Sequence, residues 1–148
     1  MSNQEQNEYL SGQQAWVVFS GQTDLSWLKI LKPGFRHCYV LLNDGQRWTS
    51  VDPLSHLTEV AIHHHVPVSF GLPDWLSRRG LKVVSASIRR DLKKPAPFMA
   101  FTCVEAVKRL LGLHHRLIFT PWQLYRHLLR AGLPRQNHKH DKGEKNGK

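Results

Sequence analysis

Residues 35–53, FRHCYVLLNDGQRWTSVDP, decide the fold. Two runs rich in β-branched, aromatic and aliphatic residues, Phe35 to Leu42 and Arg47 to Asp52, flank Asn43-Asp44-Gly45-Gln46. Asp-Gly between two such runs is a hairpin signal, because the tight turn joining antiparallel strands needs residues that tolerate positive φ. Pro53 cannot donate to a strand ladder and ends the second run. Taken as a two-residue turn on Asp44-Gly45, the hairpin pairs Asn43 with Gln46, and every cross-strand pair of residue numbers sums to 89. His37 then faces Asp52, Tyr39 faces Ser50 and Leu41 faces Trp48. A three-residue turn with a bulge gives 88 instead, and turns Asp52 to the opposite face.

Outward from the hairpin, Ala15 to Phe19 (AWVVF) reads as a buried strand, and Leu25 to Leu31 as a short helix ending before Pro33-Gly34. Leu57 to His63 reads as a third strand, Pro73 to Arg78 as a helical turn, and Lys82 to Ile88 as a further strand. Pro95-Ala96-Pro97 is an extended connector. Phe101 to Leu113 reads as a helix with Val104, Val107, Leu110 and Leu111 at helical spacing. A second helix starts at Thr120-Pro121 and stops at Gly132, with Leu124, Tyr125 and Leu128 inward. These elements predict an α+β domain over residues 13–133: a small antiparallel sheet packed by the two C-terminal helices. A loose leader occupies residues 1–12 and a disordered basic tail residues 134–148.

The 148 residues are 41% hydrophobic and 22% charged, ordinary globular material. No apolar run reaches the roughly 20 residues of a membrane span, and the polar N-terminus lacks the layout of a secretory signal. Two cysteines make no disulfide scaffold. A cytoplasmic location is the default expectation. The net charge of +10 is the outlier, but Arg135 to Lys148 and Arg89 to Lys94 each contribute +3. That distribution favours solubility over a nucleic-acid surface, and no nucleic-acid motif accompanies it.

Chemistry concentrates at Thr102-Cys103-Val104-Glu105. Thr followed three residues later by Glu is a capping box, which puts Cys103 at the first helical position. The unpaired N–H groups and positive partial charge of a helix start favour the thiolate, and the Cys103 N–H is available to an oxyanion. On the hairpin, Asp52 beside His37 fixes the tautomer of the ring and supports its protonated form. Cysteine, histidine and carboxylate then supply nucleophile, proton carrier and orienting group. Cys38 points away from His37 along the strand, so a meeting of His37 with Cys103 leaves Cys38 in the core and poorly placed to bridge to Cys103. Trp48 and Tyr39 share the His37 face and are assigned to a substrate cleft. His63-His64-His65 alternates faces and cannot converge on one ion. Without Cys-x-x-Cys or His-Glu-x-x-His spacing, no metal site is assigned, and thiol chemistry requires no cofactor.

The order of His37 on a strand, a polar partner on the next, and Cys103 at a later helix start resembles the permuted branch of the NlpC/P60 papain-like superfamily. That branch includes lecithin retinol acyltransferase-like proteins and bacterial cysteine hydrolases. The likeness spans about Gly34 to Gly112 and rests on FRHCYVLLNDGQRWTSVDP and FTCVEAVKRLLG. The chain is also similar to small uncharacterised proteins of bacteriophages and proteobacteria. The resemblance implies a circularly permuted papain-like domain with Cys103 as nucleophile, His37 as base and Asp52 as third member, although many relatives carry histidine, glutamate or another polar residue at the third place. It implies hydrolysis or acyl transfer on an amide or ester, the substrate being a small or cell-wall peptide or a lipid ester. Gln14 and Tyr39 are candidates for a second oxyanion donor without support from spacing. The alternatives are a non-enzymatic binding or assembly protein of the same fold, for instance in a phage particle, and a basic nucleic-acid binder. The sequence leaves the oligomeric state open.

Overall fold

A computed structural model describes residues 12–22, 26–89 and 100–132. The proposed leader up to residue 11, the Pro95–Pro97 connector and the basic tail lie outside the described residues. Five strands, β1 (Gln14–Ser20), β2 (His37–Asn43), β3 (Trp48–Pro53), β4 (Thr58–Ile62) and β5 (Lys82–Ala86), form one sheet in the order β4-β3-β2-β1-β5. Every neighbouring pair is antiparallel. A 3-10 turn, Ser26–Ile30, stands where the sequence suggested a short helix. Helix α1 (Leu72–Arg78) lies on the path from β4 at one edge to β5 at the other, and α2 (Cys103–Leu111) and α3 (Pro121–Gly132) follow. The architecture is α+β, as the element pattern predicted.

The alternation of side chains along the strands splits the core into two layers. Val17, Phe19, Cys38, Val40 and Val84 face Val104, Val107 and Leu111 of α2 and Leu124 and Leu128 of α3. Val18, Leu41 and Trp48 face the other way, where Leu72 and Leu76 of α1 cover them. This two-sided cover explains the uninterrupted apolar run of β1, whose residues 17–19 are all fully buried. Burial of each such side chain contributes roughly 1.5–3 kcal/mol. Phe19, Phe35, Trp122 and Tyr125 extend the α3 layer as an aromatic cluster with ring centres 4.8–5.8 Å apart.

The hairpin departs from the predicted register. Asn43 pairs with Trp48 and Val40 with Val51, so the pair numbers sum to 91 and Asp44 to Arg47 form a four-residue loop. Side-chain capping is the reason. Asn43 Oδ1 accepts from the Gly45 N–H at 2.8 Å, and Asp44 Oδ1 accepts from the N–H groups of Gln46 and Arg47, each at 2.8 Å. Gly45 takes a φ of 83°, while no non-glycine among the described residues has positive φ, so the two-residue turn that needs Asp44 there as well does not form. A shift of two preserves facing. His37 and Asp52 remain on one side of the sheet, but as diagonal neighbours, and the register continued along the strands sets Asp52 opposite Tyr39.

The end of α2 is fixed by a glycine. Gly112 adopts a left-handed φ of 70° and returns its N–H to Arg109, while Leu111 accepts from the Arg89 N–H at 2.9 Å. A Cβ at Gly112 would stand 2.1 Å from the Arg89 carbonyl oxygen. Gly112→Ala therefore combines backbone strain with a clash against main chain. We expect it to lower unfolding free energy by more than about 1 kcal/mol in urea titration, whereas Gly12→Ala, in open space, stays neutral.

Candidate active site

Helix α2 delivers its sulfur to the start of β2. Thr102 is the N-cap in an extended conformation, and its Oγ1 accepts from the Glu105 N–H at 3.2 Å. The reciprocal half of the expected capping box is absent. The Glu105 carboxylate instead takes Lys108 Nζ at 2.8 Å and Arg109 Nε at 3.0 Å. Glu105 and Lys108 are 4% and 3% exposed, and Lys108 also donates to the Ile118 carbonyl at 3.2 Å. This buried pair ties α2 to the loop that leads into α3. Removing either partner alone would strand a charge in the interior.

Cys103 thus sits in the first turn of α2, half-buried, with its sulfur against two consecutive residues of β2. The thiol is lowered to about 5. The largest cause is a hydrogen bond from the Cys38 thiol; the hydrogen bond and positive charge of His37 and the Cys38 backbone N–H act the same way, against the cost of burial. His37 is raised to about 9. Burial opposes its charge, but the Cys103 sulfur and Asp52 outweigh that cost. Asp52 Oδ1 lies 2.6 Å from His37 Nε2, the geometry of a charge-assisted hydrogen bond. Cysteine, histidine and aspartate therefore come together despite the altered register, and between about pH 5 and 9 the resting pair is thiolate and imidazolium.

Cys38 is the residue that strand alternation misjudged. It is a fully buried core residue, as expected. It also reaches Cys103, because α2 packs on the Cys38 face of the sheet while His37, at the strand's first position, reaches the same sulfur from the strand's end. Burial and the neighbouring thiolate hold the Cys38 thiol protonated, pushed well above its usual range, so it acts as a donor.

A cleft of about 550 Å³ opens over Cys103 and His37. Its walls are largely apolar, including Pro53, Leu54, Phe101, Phe119 and Pro121, with Arg36 as a cationic member. Trp48 and Tyr39, assigned to this cleft from the sequence, are elsewhere. Trp48 is buried beside Trp16 at 5.3 Å, its indole N–H donating to the Pro67 carbonyl at 3.1 Å. Tyr39 lines a separate cavity with Asp52, Glu59, His63 and His65. Both follow from facing: Trp48 and Tyr39 lie within their strands on the α1 side of the sheet, whereas His37, on that same side, reaches the cleft built by α2 only because it is the first residue of β2. Gln14 begins β1 and lines a pocket with residues of β5, away from the thiol. His63 Nε2 meets Ser50 Oγ at 3.0 Å and His64 is exposed. Among the described residues no group of side chains is arranged to hold a metal ion, and no helix is long and apolar enough to cross a membrane.

Compared with protein-family models, curated proteins and solved structures, the chain has no match in any of the three.

The two opposed shifts give a characteristic pH signature. Unfolded, Cys103 and His37 titrate near their ordinary values of 9.0 and 6.5; folded, near 5 and 9. From pH 5 to 6.5 the unfolded chain holds one more proton at this pair, so stability rises with pH. From 6.5 to 9 the extra thiol proton of the unfolded state is matched by the imidazolium proton of the folded state, and the contribution is flat. The difference in unfolding free energy between the wild type and Cys103→Ser, followed across this range, is expected to rise and then level. Iodoacetamide should alkylate Cys103 with an apparent pKa near 5, and both Cys38→Ala and His37→Ala should move that value upward.

Proposed function

We propose that the chain is a cysteine hydrolase or acyltransferase acting on an amide or ester. The observation that carries this reading is the convergence of a helix-start sulfur, its thiol lowered to about 5, with an imidazole oriented at 2.6 Å by a carboxylate. Asp52 holds the ring of His37, and His37 carries the proton that the leaving group needs.

In the proposed reaction the Cys103 thiolate attacks the substrate carbonyl carbon. A C–S bond forms and the carbonyl π pair moves onto oxygen, facing the Cys103 N–H at the start of α2, the Glu105 N–H being taken by Thr102. Collapse of this adduct expels the amine or alcohol, which takes its proton from His37, and leaves a thioester on Cys103. Water or an acceptor alcohol then gives a proton to His37 and attacks the thioester. The acyl product departs and the thiolate and imidazolium are restored. Every proton passes through one imidazole, and no cofactor enters the cycle.

The same reading covers the finer fold assignment. That the cysteine helix follows the histidine strand supports a circularly permuted papain-like arrangement of the NlpC/P60 type. The apolar cleft walls suit an acyl or other hydrophobic group next to the scissile bond.

A p-nitrophenyl ester tests the proposal. The wild type should release a burst of about one equivalent of nitrophenol and carry an acyl adduct on Cys103 by mass spectrometry. Cys103→Ala should abolish both, His37→Ala should slow acylation by about 10²–10⁴-fold, and Asp52→Asn should slow it by a smaller factor. The acylation rate should fall below pH 5 as the thiolate is protonated and above pH 9 as the imidazolium is lost. Normal thiol reactivity at Cys103, with no adduct, would leave a binding or assembly role of the same fold as the better account.

A further inference from the structure

A second cavity, of about 640 Å³, lies where the loop after α2 meets α3, and it shares no lining residue with the thiol's own cleft. Its charged side chains are all basic or imidazole: Arg116 from the loop, Arg126 and Arg130 from α3, with His114, His115 and His127 beside them. Among the described residues no carboxylate lines it. Among the described residues these three arginines make no ion pair, unlike Arg47 and Arg109.

Helix electrostatics account for only part of this arrangement. Arg130 is in the last turn of α3, where a cation complements the helix dipole. Arg116 precedes the positive N-terminal end of the same helix, and Arg89, at the exit of β5, adds its charge from a third segment. The accumulated charge is felt inside the cavity. His127 is depressed below the ordinary histidine range, first by burial and then by His115, Arg89 and Arg130. The His115 ring lies 4.3 Å from that of His127. Cations brought together from separate segments without a carboxylate repel one another, and a bound anion relieves that repulsion.

We propose that this cavity is a binding site for an oligophosphate anion, either free or as the phosphate tail of a nucleotide. Arginine forks match phosphate oxygens two at a time, and three of them around one concavity suit more than one phosphate group. The volume is that of a small-molecule site rather than of a track for a polymer. The paired imidazoles of His115 and His127 offer ring surface beside the arginines on which a nucleobase can stack, whereas the Trp122 ring is already taken by Lys32 and Tyr125. The inference stands apart from the thiol chemistry, since none of these residues lines the Cys103 cleft.

Calorimetric titration of the full chain with tripolyphosphate and with ATP, at low salt, tests the site. Saturable one-to-one binding with a sub-millimolar Kd is expected. Arg126→Gln with Arg130→Gln should weaken it at least tenfold, without changing the alkylation rate of Cys103. A matched control, Arg78→Gln with Arg79→Gln on the exposed end of α1 and just beyond it, should bind as the wild type does. Equal affinities for the two probes indicate a free oligophosphate; at least tenfold tighter binding of ATP indicates a nucleotide whose base uses the rings. Both outcomes support the proposal. Absence of saturation by either probe at 1 mM would overturn it, as would equal weakening in the control. Binding confined to a single-stranded oligonucleotide or to anionic phospholipid vesicles, with both small probes silent, would overturn it too.

Discussion

The structure depends on the seating of one sulfur at the first turn of α2 against the first two residues of β2. That contact joins the two layers on which the site is built, because His37 and Cys38 belong to opposite sides of the sheet and both reach Cys103. His37 manages it from the first position of β2, at the end of the sheet's central strand. Cys38 manages it directly, from beneath the helix. A thiolate in that position has a proton donor from the core, a cation from the strand's end and a helix start behind it, so its charge is compensated from three directions.

The rest of the fold serves that placement. Val104, Val107 and Leu111 press α2 onto the sheet, and Gly112 with Arg89 stops the helix where β5 passes. The buried Glu105–Lys108 pair is less easily explained as a source of stability, since burying two charges costs several kcal/mol before their attraction is counted. Its geometry suggests what it secures: Lys108 also holds the Ile118 carbonyl. Phe119, Thr120 and Pro121, immediately beyond that carbonyl, wall the cleft above the sulfur. The pair thereby links the orientation of the cysteine helix to the shape of the space its sulfur faces.

Legibility in the sequence followed locality. Thr102 as cap, Gly45 as a positive-φ residue and the apolar spacing of Val104, Val107 and Leu111 are all decided within a few residues, and the structure has each where the sequence placed it, whereas the helix read as running to Leu113 stops at Leu111 with Gly112 as its left-handed cap. The hairpin was legible as a hairpin but not in its register, because Asn43 and Asp44 spend their side chains on loop N–H groups and stretch the turn to four residues. The Glu105 side chain was misread for a related reason: a local partner at the cap lost to Lys108 and Arg109. Trp48 and Tyr39 were placed on the right face and then given to the wrong cleft. Strand alternation says which residues share a side but not which helix will cover it.

The α+β class, the order of the elements, a cysteine at a helix start and a histidine and an aspartate on one side of a hairpin could all be read from the amino-acid order. Those are consequences of backbone periodicity, capping and turn chemistry, which act over short stretches of chain. Packing of the whole chain was needed to bring Cys38 to Cys103, to wall the cleft with Pro53, Leu54, Phe101 and Phe119, and to gather cations from three segments around His127. Such meetings depend on which face each helix covers once the two core layers have packed, and packing joins residues that no local rule relates.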